Sequence, residues 1–341
     1  MVSSMRISPG VFALLWAVDA LAARPGPVPD YAPLALVRTH VQARDLSEEF
    51  VEQLQKLLGP RHVEVGQSDA VGTLVWLRDY QPIYARDATD RLQSLRVRSH
   101  NPERNGHFFP GDPPAAELPL VHENGNLVVA GRRAFVSTRF FEDNHIEGLG
   151  SEAARFALIR DLARALAIAE QDVIVMPKLP GEGTGHVDLY LLALADDMML
   201  IPRIPEEALE GLTEAEWGIS RAAAQFLDDQ AAFVASLGMK VKRLSMLPPR
   251  ILPAIDNTSD DAVFFSPANA LLLNMGGRRT VMLPDLDPSA MRASHRKLFR
   301  QYRKQWMSTF RAEGWAPVFA DATELSRYLG FFRCLSAVVP E

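Results

Sequence analysis

Cys334 is the only cysteine in the chain of 341 residues, and it lies seven residues before the last one. A lone cysteine forms no internal disulfide, so it is either an inert small hydrophobe of the core or a reactive group. A thiol acts as a nucleophile when a nearby base or cation favours its thiolate form. The choice between these roles depends on the residues that accompany Cys334.

Four stretches place polar or charged side chains beside apolar, strand-like sequence. They are VWLRDYQPIYARD (75–87), VHENGNLVV (121–129), GEGTGHVDLYLLAL (181–194) and GFFRCLSAVVP (330–340). A single such charge usually marks a solvated turn. Four of them indicate side chains that gather in one partly buried site, because burying charges without partners is costly.

The residue types in these stretches suit attack on a planar cation. Cys334 with His186 supplies a nucleophile and an acid/base that protonates a leaving group. Asp79, Glu123 and Asp188 are more carboxylates than a cysteine protease needs. Two carboxylates can hold a guanidinium through its fork of N–H groups and leave its central carbon exposed to the sulfur.

A metal site is a rival interpretation of the same residues. His122, Glu123, His186 and Asp188 could ligate a metal ion, since His-x-Asp on a strand can form half of such a site. Cys334 would then be core filler. The glycine-rich run 181–186 imitates a phosphate loop, but no helix is predicted after it, so it does not predict a nucleotide site.

The composition excludes some function classes. With 36 Lys and Arg against 42 Asp and Glu, the chain has a formal charge of −6. A nucleic-acid binder would usually have a basic face, so this mild acidity argues against one and suits a cationic substrate. No apolar run reaches the roughly 18 residues that span a bilayer, so no membrane-spanning segment is expected.

Residues 1–30 have features of a leader followed by a joint. Arg6, the apolar stretch Val11–Val18 and the A-x-A triplet 20–22 fit a signal peptide, although Asp19 interrupts the apolar stretch. The alternative is a first core helix. The Pro-rich stretch 24–29 predicts an unstructured joint. The chain is therefore expected either to be exported to the periplasm or beyond, or to remain in the cytoplasm.

Short strands and amphipathic helices alternate from Pro33 onward. A strand is predicted over Leu34–Thr39, and a capping box from Asp45 to Glu48 opens a helix. Paired strands follow at 126–138, 187–201 and 270–283, with helices over 151–168, over 220–237 and within 288–310. This mixture of hairpins and helices is neither a βαβ series nor strands followed by helices.

The order and the motifs of the polar stretches resemble those of the agmatine deiminase and bacterial-type peptidylarginine deiminase family. These are guanidino-modifying enzymes of the pentein superfamily. The matching segments are Trp76-Leu77-Arg78-Asp79, Glu123-Asn124-Gly125-Asn126, Gly185-His186-Val187-Asp188, 266–274 with Asn269, and the C-terminal Cys334. The chain departs from the family's pattern twice. Asn124 stands where a glycine is usual, and only Gly330 remains of the glycines before the cysteine, followed by Phe331 and Phe332. These departures bear on which substrate fits and on whether turnover is kept.

The resemblance implies a fold as well as a site. It covers about residues 31–341, which would form one α/β domain, a five-bladed propeller of ββαβ units around a pseudo-fivefold axis with the site at its centre. The five matching polar residues Asp79, Glu123, His186, Asn269 and Cys334 are separated by 44, 63, 83 and 65 residues. This spacing is consistent with one residue from each blade.

The resemblance also implies a reaction. The guanidino group of peptidyl-arginine (citrullination) or of an arginine derivative such as agmatine would become a ureido group, with release of ammonia and no metal or organic cofactor. Cys334 would attack, His186 would transfer protons, Glu123 would orient His186, and Asp79, Asp188, Asn269 and Trp76 would bind the substrate. An amidinotransferase, a non-catalytic arginine-binding relative and a homodimer remain open. Arg78 is expected to form a structural ion pair, and an export leader would favour a peptide substrate.

Overall fold

The computed structural model describes most of the chain from residue 25 onward. The described residues are 25–41, 48–67, 77–98, 115–145, 152–253, 260–323, 325 and 331–341. The predicted leader, most of the predicted capping box and Trp76 lie outside these ranges. Within them, no helix combines the length and the apolar character that a membrane crossing needs.

Five sheets in the described residues share one three-stranded topology. In each, the first strand pairs antiparallel with the second, and the second pairs parallel with the third. The five are β18 (Ser336–Pro340), β2 (Leu34–Val41) and β3 (Val63–Gln67); β4 (Ile83–Arg86), β5 (Leu92–Arg98) and β6 (Ala115–Val121); β7 (Val128–Ala130), β8 (Arg133–Ser137) and β9 (Val173–Met176); β10 (Leu192–Ala195), β11 (Met198–Arg203) and β12 (Lys240–Ser245); β15 (Leu271–Met275), β16 (Arg278–Asp285) and β17 (Ala316–Asp321). The first sheet joins the two ends of the described chain.

Two further pairings complete the strands. β1 (Gly26–Pro27) extends the second sheet beside β4, and β13 (Arg250–Pro253) pairs with β14 (Asp260–Val263). None of the sheets in the described ranges closes into a barrel. The result is a mixed α/β fold, as the alternation of strands and helices in the sequence predicts.

Helices connect the second strand of a sheet to the third, because a parallel pair needs a crossover. The α-helices are α1 (Glu48–Leu58), α2 (Leu77–Tyr80), α3 (Arg139–Asp143), α4 (Glu152–Ala165), α5 (Glu214–Ser236), α6 (Ala293–Ala312) and α7 (Phe332–Leu335). Of these, α1, α4, α5 and α6 make such crossovers. The corresponding connection of the second sheet lies outside the described residues.

Helix α5 begins and ends at residues suited to those positions. The Thr213 side chain accepts a hydrogen bond from the backbone N–H of Glu216, and Glu216 accepts one from the backbone N–H of Thr213. This capping box satisfies N–H groups that a first turn leaves open. The chain leaves the helix through Gly238, whose φ of 80° favours glycine. Because this cap lies upstream, α5 starts earlier than the predicted residue 220.

The core lies between the helices and the sheets. Helix α6 buries one stripe of side chains at a spacing of three and four residues, as an amphipathic helix does. The stripe is His295, Phe299, Tyr302, Trp306 and Phe310. Strand β15 is buried on both faces, since Leu271–Leu273 are all buried, whereas β5 and β12 keep exposed residues.

A single helical turn precedes the first strand of each of the five sheets. These turns are α2 before β4, Asn124–Asn126 before β7, Val187–Leu189 before β10, Pro267–Asn269 before β15 and α7 before β18. The sequence predicts a strand over 187–194, but the N–H groups of Tyr190 and Leu191 bond to Val187 O, so β10 begins only at Leu192. Each turn contacts the next and the last contacts the first, which makes a closed cycle.

Residues 25–33, called the N-terminal segment below, pack against the sheets. The sequence predicts an unstructured joint over 24–29, whereas Gly26–Pro27 pairs with β4. Tyr31 explains why the segment is ordered, because its hydroxyl donates to Asp196 at 2.5 Å and accepts from the N–H of Gly131 at 2.9 Å. Asn274 also donates to the Tyr31 carbonyl. The domain boundary at residue 31 stays a prediction.

Candidate active site

The cycle of turns brings six of the seven predicted site residues together. Asn269 Nδ2 lies 3.5 Å from both Cys334 Sγ and Asp188 Oδ1. His186 Nε2 lies 3.0 Å from Glu123 Oε2, and His186 Nδ1 lies 3.8 Å from Asp79 Oδ1. Trp76, the seventh, lies outside the described residues. All six side chains are buried.

Gly125 explains why the Glu123 turn can approach the histidine so closely. Its backbone N–H donates to Asp79 Oδ1 at 3.0 Å. A Cβ atom at this position would lie 2.3 Å from His186 Nδ1 and 2.8 Å from Asp79 Oδ1, which are impossible contacts. The small residue lets the turn from Asn124 to Asn126 hold a carboxylate and an imidazole side by side.

The loop that carries His186 is tied to the same turn. Asn126 Oδ1 accepts from the backbone N–H of Ser137 at 2.8 Å, and the Ser137 hydroxyl donates to the Gly185 carbonyl. Gly185 has a φ of 72°, where glycine is favoured. Buried side-chain bonds to the backbone therefore fix the position of His186 relative to Glu123.

Carboxylates around His186 hold it in the charged form. Burial by itself disfavours the imidazolium, but the charge of Asp79, the hydrogen bond to Glu123 and the charge of Asp188 outweigh it and raise the pKa of His186 to about 10. Burial raises the pKa of Asp79 to about 6, with Glu123 and Asp188 adding to the rise and His186 opposing it. At neutral pH this side of the site therefore holds an imidazolium between carboxylates.

The thiol of Cys334 is protonated in the free protein. Burial raises its pKa above the ordinary value, and the negative charges of Asp188 and Asp79 raise it further. A cation placed against these two carboxylates would remove the electrostatic part of that rise. The ionisation of the Cys334 thiol would therefore respond to a positively charged ligand.

Two buried arginines form the other side of the site. Arg78 Nη2 lies 3.1 Å from Asp30 Oδ2, and Arg78 Nε lies 3.1 Å from Asp188 Oδ2. Arg333 also pairs with Asp30, and its Nε lies 3.7 Å from Asp188 Oδ2. We call these four residues the arginine cluster. Arg78 thus makes the ion pair that is expected from the sequence. Arg333 and Asp30 were not identified as site residues from the sequence.

The two missed residues differ in the signal they gave. Arg333 stands between Phe332 and Cys334, so its charge in an apolar run is a signal that could have identified it. Asp30 follows the Pro-rich stretch taken as a joint, and no local pattern marks it. Burial raises the pKa of Asp30, but Arg333 and Arg78 outweigh this and lower it to about 2, so the carboxylate is charged.

The residues proposed for a metal site are not brought together as a set. Asp188 Oδ2 faces the two arginines, and the ring of His122 packs edge-on against Phe140 with centroids 5.8 Å apart. Burial and the charge of His186 together lower the pKa of His122 to about 3. Ligand atoms of Asp79, Glu123 and His186 do lie within 4.8 Å of one another, but one of them is an imidazole held protonated.

The two departures from the family pattern have separate explanations. Asn124 Nδ2 donates to the Gln81 carbonyl at 2.6 Å, which links the turn before β7 to the one before β4. Phe332 stacks on Phe50 and Phe331 packs against Phe265, with centroids 5.1 and 4.6 Å apart. The aromatic rings before the cysteine therefore contribute to the core.

Comparison with known proteins gives structural matches alone. No protein-family model matches the sequence, and no curated protein does. A cysteine-to-serine variant of C. jejuni agmatine deiminase with substrate bound matches with a TM-score of 0.67 at 11% identity, over 93% of this chain and 97% of that one. Agmatine deiminase of Enterococcus faecalis matches with a TM-score of 0.63 at 15% identity, over 93% and 96%. A proposed arginine deiminase from Porphyromonas gingivalis gives 0.66 at 15%, over 93% and 99%. The chain therefore has the fold of the agmatine and arginine deiminases.

Proposed function

We propose that the chain is a cysteine-dependent deiminase. It converts a guanidino group of peptidyl-arginine, or of an arginine derivative such as agmatine, to a ureido group and releases ammonia. The observation that carries the proposal is an excess of carboxylates in front of a buried thiol. Agmatine deiminases that share the fold are named for this reaction, which supports the same chemistry here.

The charge balance of the buried site favours a cationic ligand. Four carboxylates face three cations, so the described cluster carries one more negative charge than positive charge. The carboxylates are Asp30, Asp79, Glu123 and Asp188, and the cations are Arg78, His186 and Arg333. Burial raises the pKa of Asp79 to about 6, and a guanidinium bound beside it would favour its charged form.

Asp79 and Asp188 are the proposed ligands of the guanidinium. Both act on the Cys334 thiol through their charge, so a cation paired with them lies near the sulfur. Asn269, which is 3.5 Å from both Sγ and Asp188 Oδ1, holds the nucleophile and this carboxylate at a fixed separation. Trp76 remains a proposed lining residue, on the family resemblance alone.

Substrate binding would activate the nucleophile. The positive charge of the guanidinium offsets the carboxylates that disfavour the thiolate, so the Cys334 proton passes to solvent and a thiolate–imidazolium pair forms. The thiolate then attacks the central carbon and forms a C–S bond. The resulting tetrahedral adduct places the departing nitrogen within reach of His186.

His186 would move the protons in both halves of the reaction. As an imidazolium it protonates the departing nitrogen, the C–N bond breaks and ammonia leaves a thiouronium on Cys334. The neutral imidazole then takes a proton from water, whose oxygen attacks the same carbon, and the C–S bond breaks to release the ureido product. Glu123 keeps the imidazole oriented and favours its charged form.

The five-bladed propeller remains part of the proposal. Two observations support it: five sheets repeat one topology, and the turns that precede them contact one another in a closed cycle. Asp79, Glu123, Asp188, Asn269 and Cys334 each lie on or directly before a different one of these turns. A pseudo-fivefold axis would place one such residue from each unit at the centre.

The test is an assay of ammonia and ureido formation on agmatine, free arginine, and peptides with internal or C-terminal arginine. We expect turnover of at least one of these compounds, and its loss in Cys334→Ala with unchanged circular dichroism. Dialysis against a chelator should leave the activity unchanged. Equal activity in the Cys334→Ala variant would overturn the mechanism, and product formation that requires an amine acceptor would indicate an amidinotransferase instead.

A further inference from the structure

The arginine cluster pairs two buried cations with one buried anion, Asp188, and one partly exposed anion, Asp30, whose side chain is 26% exposed. The side chains of Arg78, Arg333 and Asp188 are 5%, 2% and 0% exposed. Each guanidinium contacts both carboxylates, so Asp30 and Asp188 bridge the same two arginines from opposite sides. Removing either carboxylate leaves the two buried guanidiniums with a single carboxylate between them.

Charged groups reach Cys334 from the turns packed around it. Helix α7 contributes Arg333, α2 contributes Arg78 and Asp79, and the turn Val187–Leu189 contributes Asp188. The turn Pro267–Asn269 contributes the neutral Asn269, and His186 pairs with both Asp79 and Glu123. Arg78 and Arg333 are cations whose charge acts on the sulfur in the free protein, and their field there depends on how far Asp30 and Asp188 neutralise it.

Asp30 is the one member of the arginine cluster that does not belong to a turn of the cycle. It lies on the N-terminal segment, which is fixed independently by Tyr31 through Asp196 and Gly131. Asp30 therefore reaches the site from a different part of the chain and acts on it through Arg78 and Arg333.

We propose that Asp30 is a positioning residue that sets the reactivity of Cys334 by holding and partly neutralising Arg78 and Arg333. The N-terminal segment is thereby a part of the active site. Without Asp30, the uncompensated positive charge of the two arginines favours the thiolate, and both guanidiniums turn to Asp188 alone. The inference rests on the proposed function only in taking Cys334 as the nucleophile.

The test uses the single cysteine as its own probe. Alkylation of the full native chain by iodoacetamide reports Cys334 alone, because no other thiol is present. In Asp30→Asn we expect the pH dependence of the rate to move down by about one unit. The rate at pH 8 should rise about threefold, since tenfold more thiolate is partly offset by its lower nucleophilicity. Arg333→Gln should slow the reaction by about threefold.

Two controls separate charge from loosened structure. Asp196→Ala removes the acceptor of the Tyr31 hydroxyl on the same segment and leaves the arginine cluster intact, so its alkylation profile should match the wild type. Asp30→Glu keeps the charge and should also stay close to the wild type. An Asp30→Asn profile that equals the wild type, or an equally large rise in the rate of Asp196→Ala, would overturn the proposal.

A charge-balanced pair of substitutions keeps the test decisive if Asp30→Asn does not fold. Asp30→Asn with Arg333→Gln removes one anion and one cation, so the alkylation rate should return to within twofold of the wild type. A folded double variant with a threefold or larger deviation would contradict the proposal. If no variant or wild type releases ammonia while Asp30→Asn still shifts alkylation, the proposed function fails and this inference stands.

Discussion

The two sides of the candidate site treat charge in opposite ways. On one side, Asp79 and Glu123 flank the single cation of His186. On the other, Arg78 and Arg333 are matched by Asp30 and Asp188. The first side is short of positive charge and the second is balanced within itself.

In the proposed site, this difference separates the side chains that would bind the cationic substrate from those that mainly hold the turns together. On the balanced side the ion pairs neutralise one another and hold neighbouring turns and the N-terminal segment together. Asp188 also belongs to the proposed substrate site, through the Oδ1 atom that lies beside Asn269. A bound cation would stabilise the unbalanced side, because burial raises the pKa of Asp79 to about 6 despite its contacts with His186 and the Gly125 N–H. The Cys334 thiol lies where both sides act on it.

The largest expected effect comes from removing the cation of the unbalanced side. His186→Gln keeps a similar size but cannot transfer protons, so we expect kcat to fall by about 10³-fold, within the range for general acid–base groups. Steady-state ammonia release measures this. His122→Gln is the matched control, because the His122 ring packs on Phe140. Its fold-loss in kcat should be less than a tenth of the loss in His186→Gln. Equal losses in both variants would contradict the role given to His186.

The next effect tests the close packing on the same side. Gly125→Ala places a methyl group 2.3 Å from His186 Nδ1, so the imidazole has to move away from Asp79. We expect kcat/KM to fall by about 10²-fold, the cost of a displacement near 1 Å. Gly218→Ala in α5 is the control, since its Cβ would meet nothing within 4 Å. A Gly125→Ala variant with full activity would show that this geometry is not required.

The pH dependence of binding should report the unbalanced carboxylate. Asp79 loses its charge as the pH falls below about 6, so the affinity of Cys334→Ala for agmatine or an arginine peptide should weaken there by up to about tenfold per unit. Calorimetric titration between pH 5 and pH 8 measures this. Asp79→Asn in the Cys334→Ala background should bind more weakly, and its affinity should not change with pH in this way. If the pH dependence persists in this variant, another group causes it.

The smallest effect concerns the link between the two turns. Asn124→Gly removes the hydrogen bond to the Gln81 carbonyl, which should lower the free energy of unfolding by about 1 kcal/mol. Turnover should change less than about twofold, because the bond joins backbone that Asp79 and Gly125 also hold together. Denaturant unfolding and the ammonia assay measure the two quantities. A large loss of turnover at unchanged stability would place Asn124 in the chemistry.

The site residues with a short-range signal could be predicted from the sequence. Asp79, Glu123, His186 and Asp188 are charges beside apolar strands, and burial makes such charges expensive unless they meet. Asp30 gives no such signal, because its partners Arg78 and Arg333 are 48 and 303 residues away. Long-range ion pairs of this kind become visible only when the chain is folded.

For the fold, too, elements with a local sequence pattern could be predicted, whereas those fixed by long-range contacts could not. Hairpin strands and crossover helices have periodic patterns, so β7, β8, β15 and β16 were predicted close to their observed bounds. The turn Val187–Leu189 was predicted as strand because its apolar residues continue those of β10 without a break. The joint before Tyr31 was predicted to be unstructured, but bonds from Tyr31 to Asp196 and Gly131 fix the residues beside it.

The most direct test of the central claim is a rapid-quench experiment on wild-type protein with a guanidino substrate, followed by intact-mass and peptide-mass analysis. The account predicts a transient adduct on Cys334 whose mass equals that of the substrate minus ammonia. It also predicts that Cys334→Ala forms no such adduct. Ammonia release without any adduct, or an adduct on a residue other than Cys334, would contradict it.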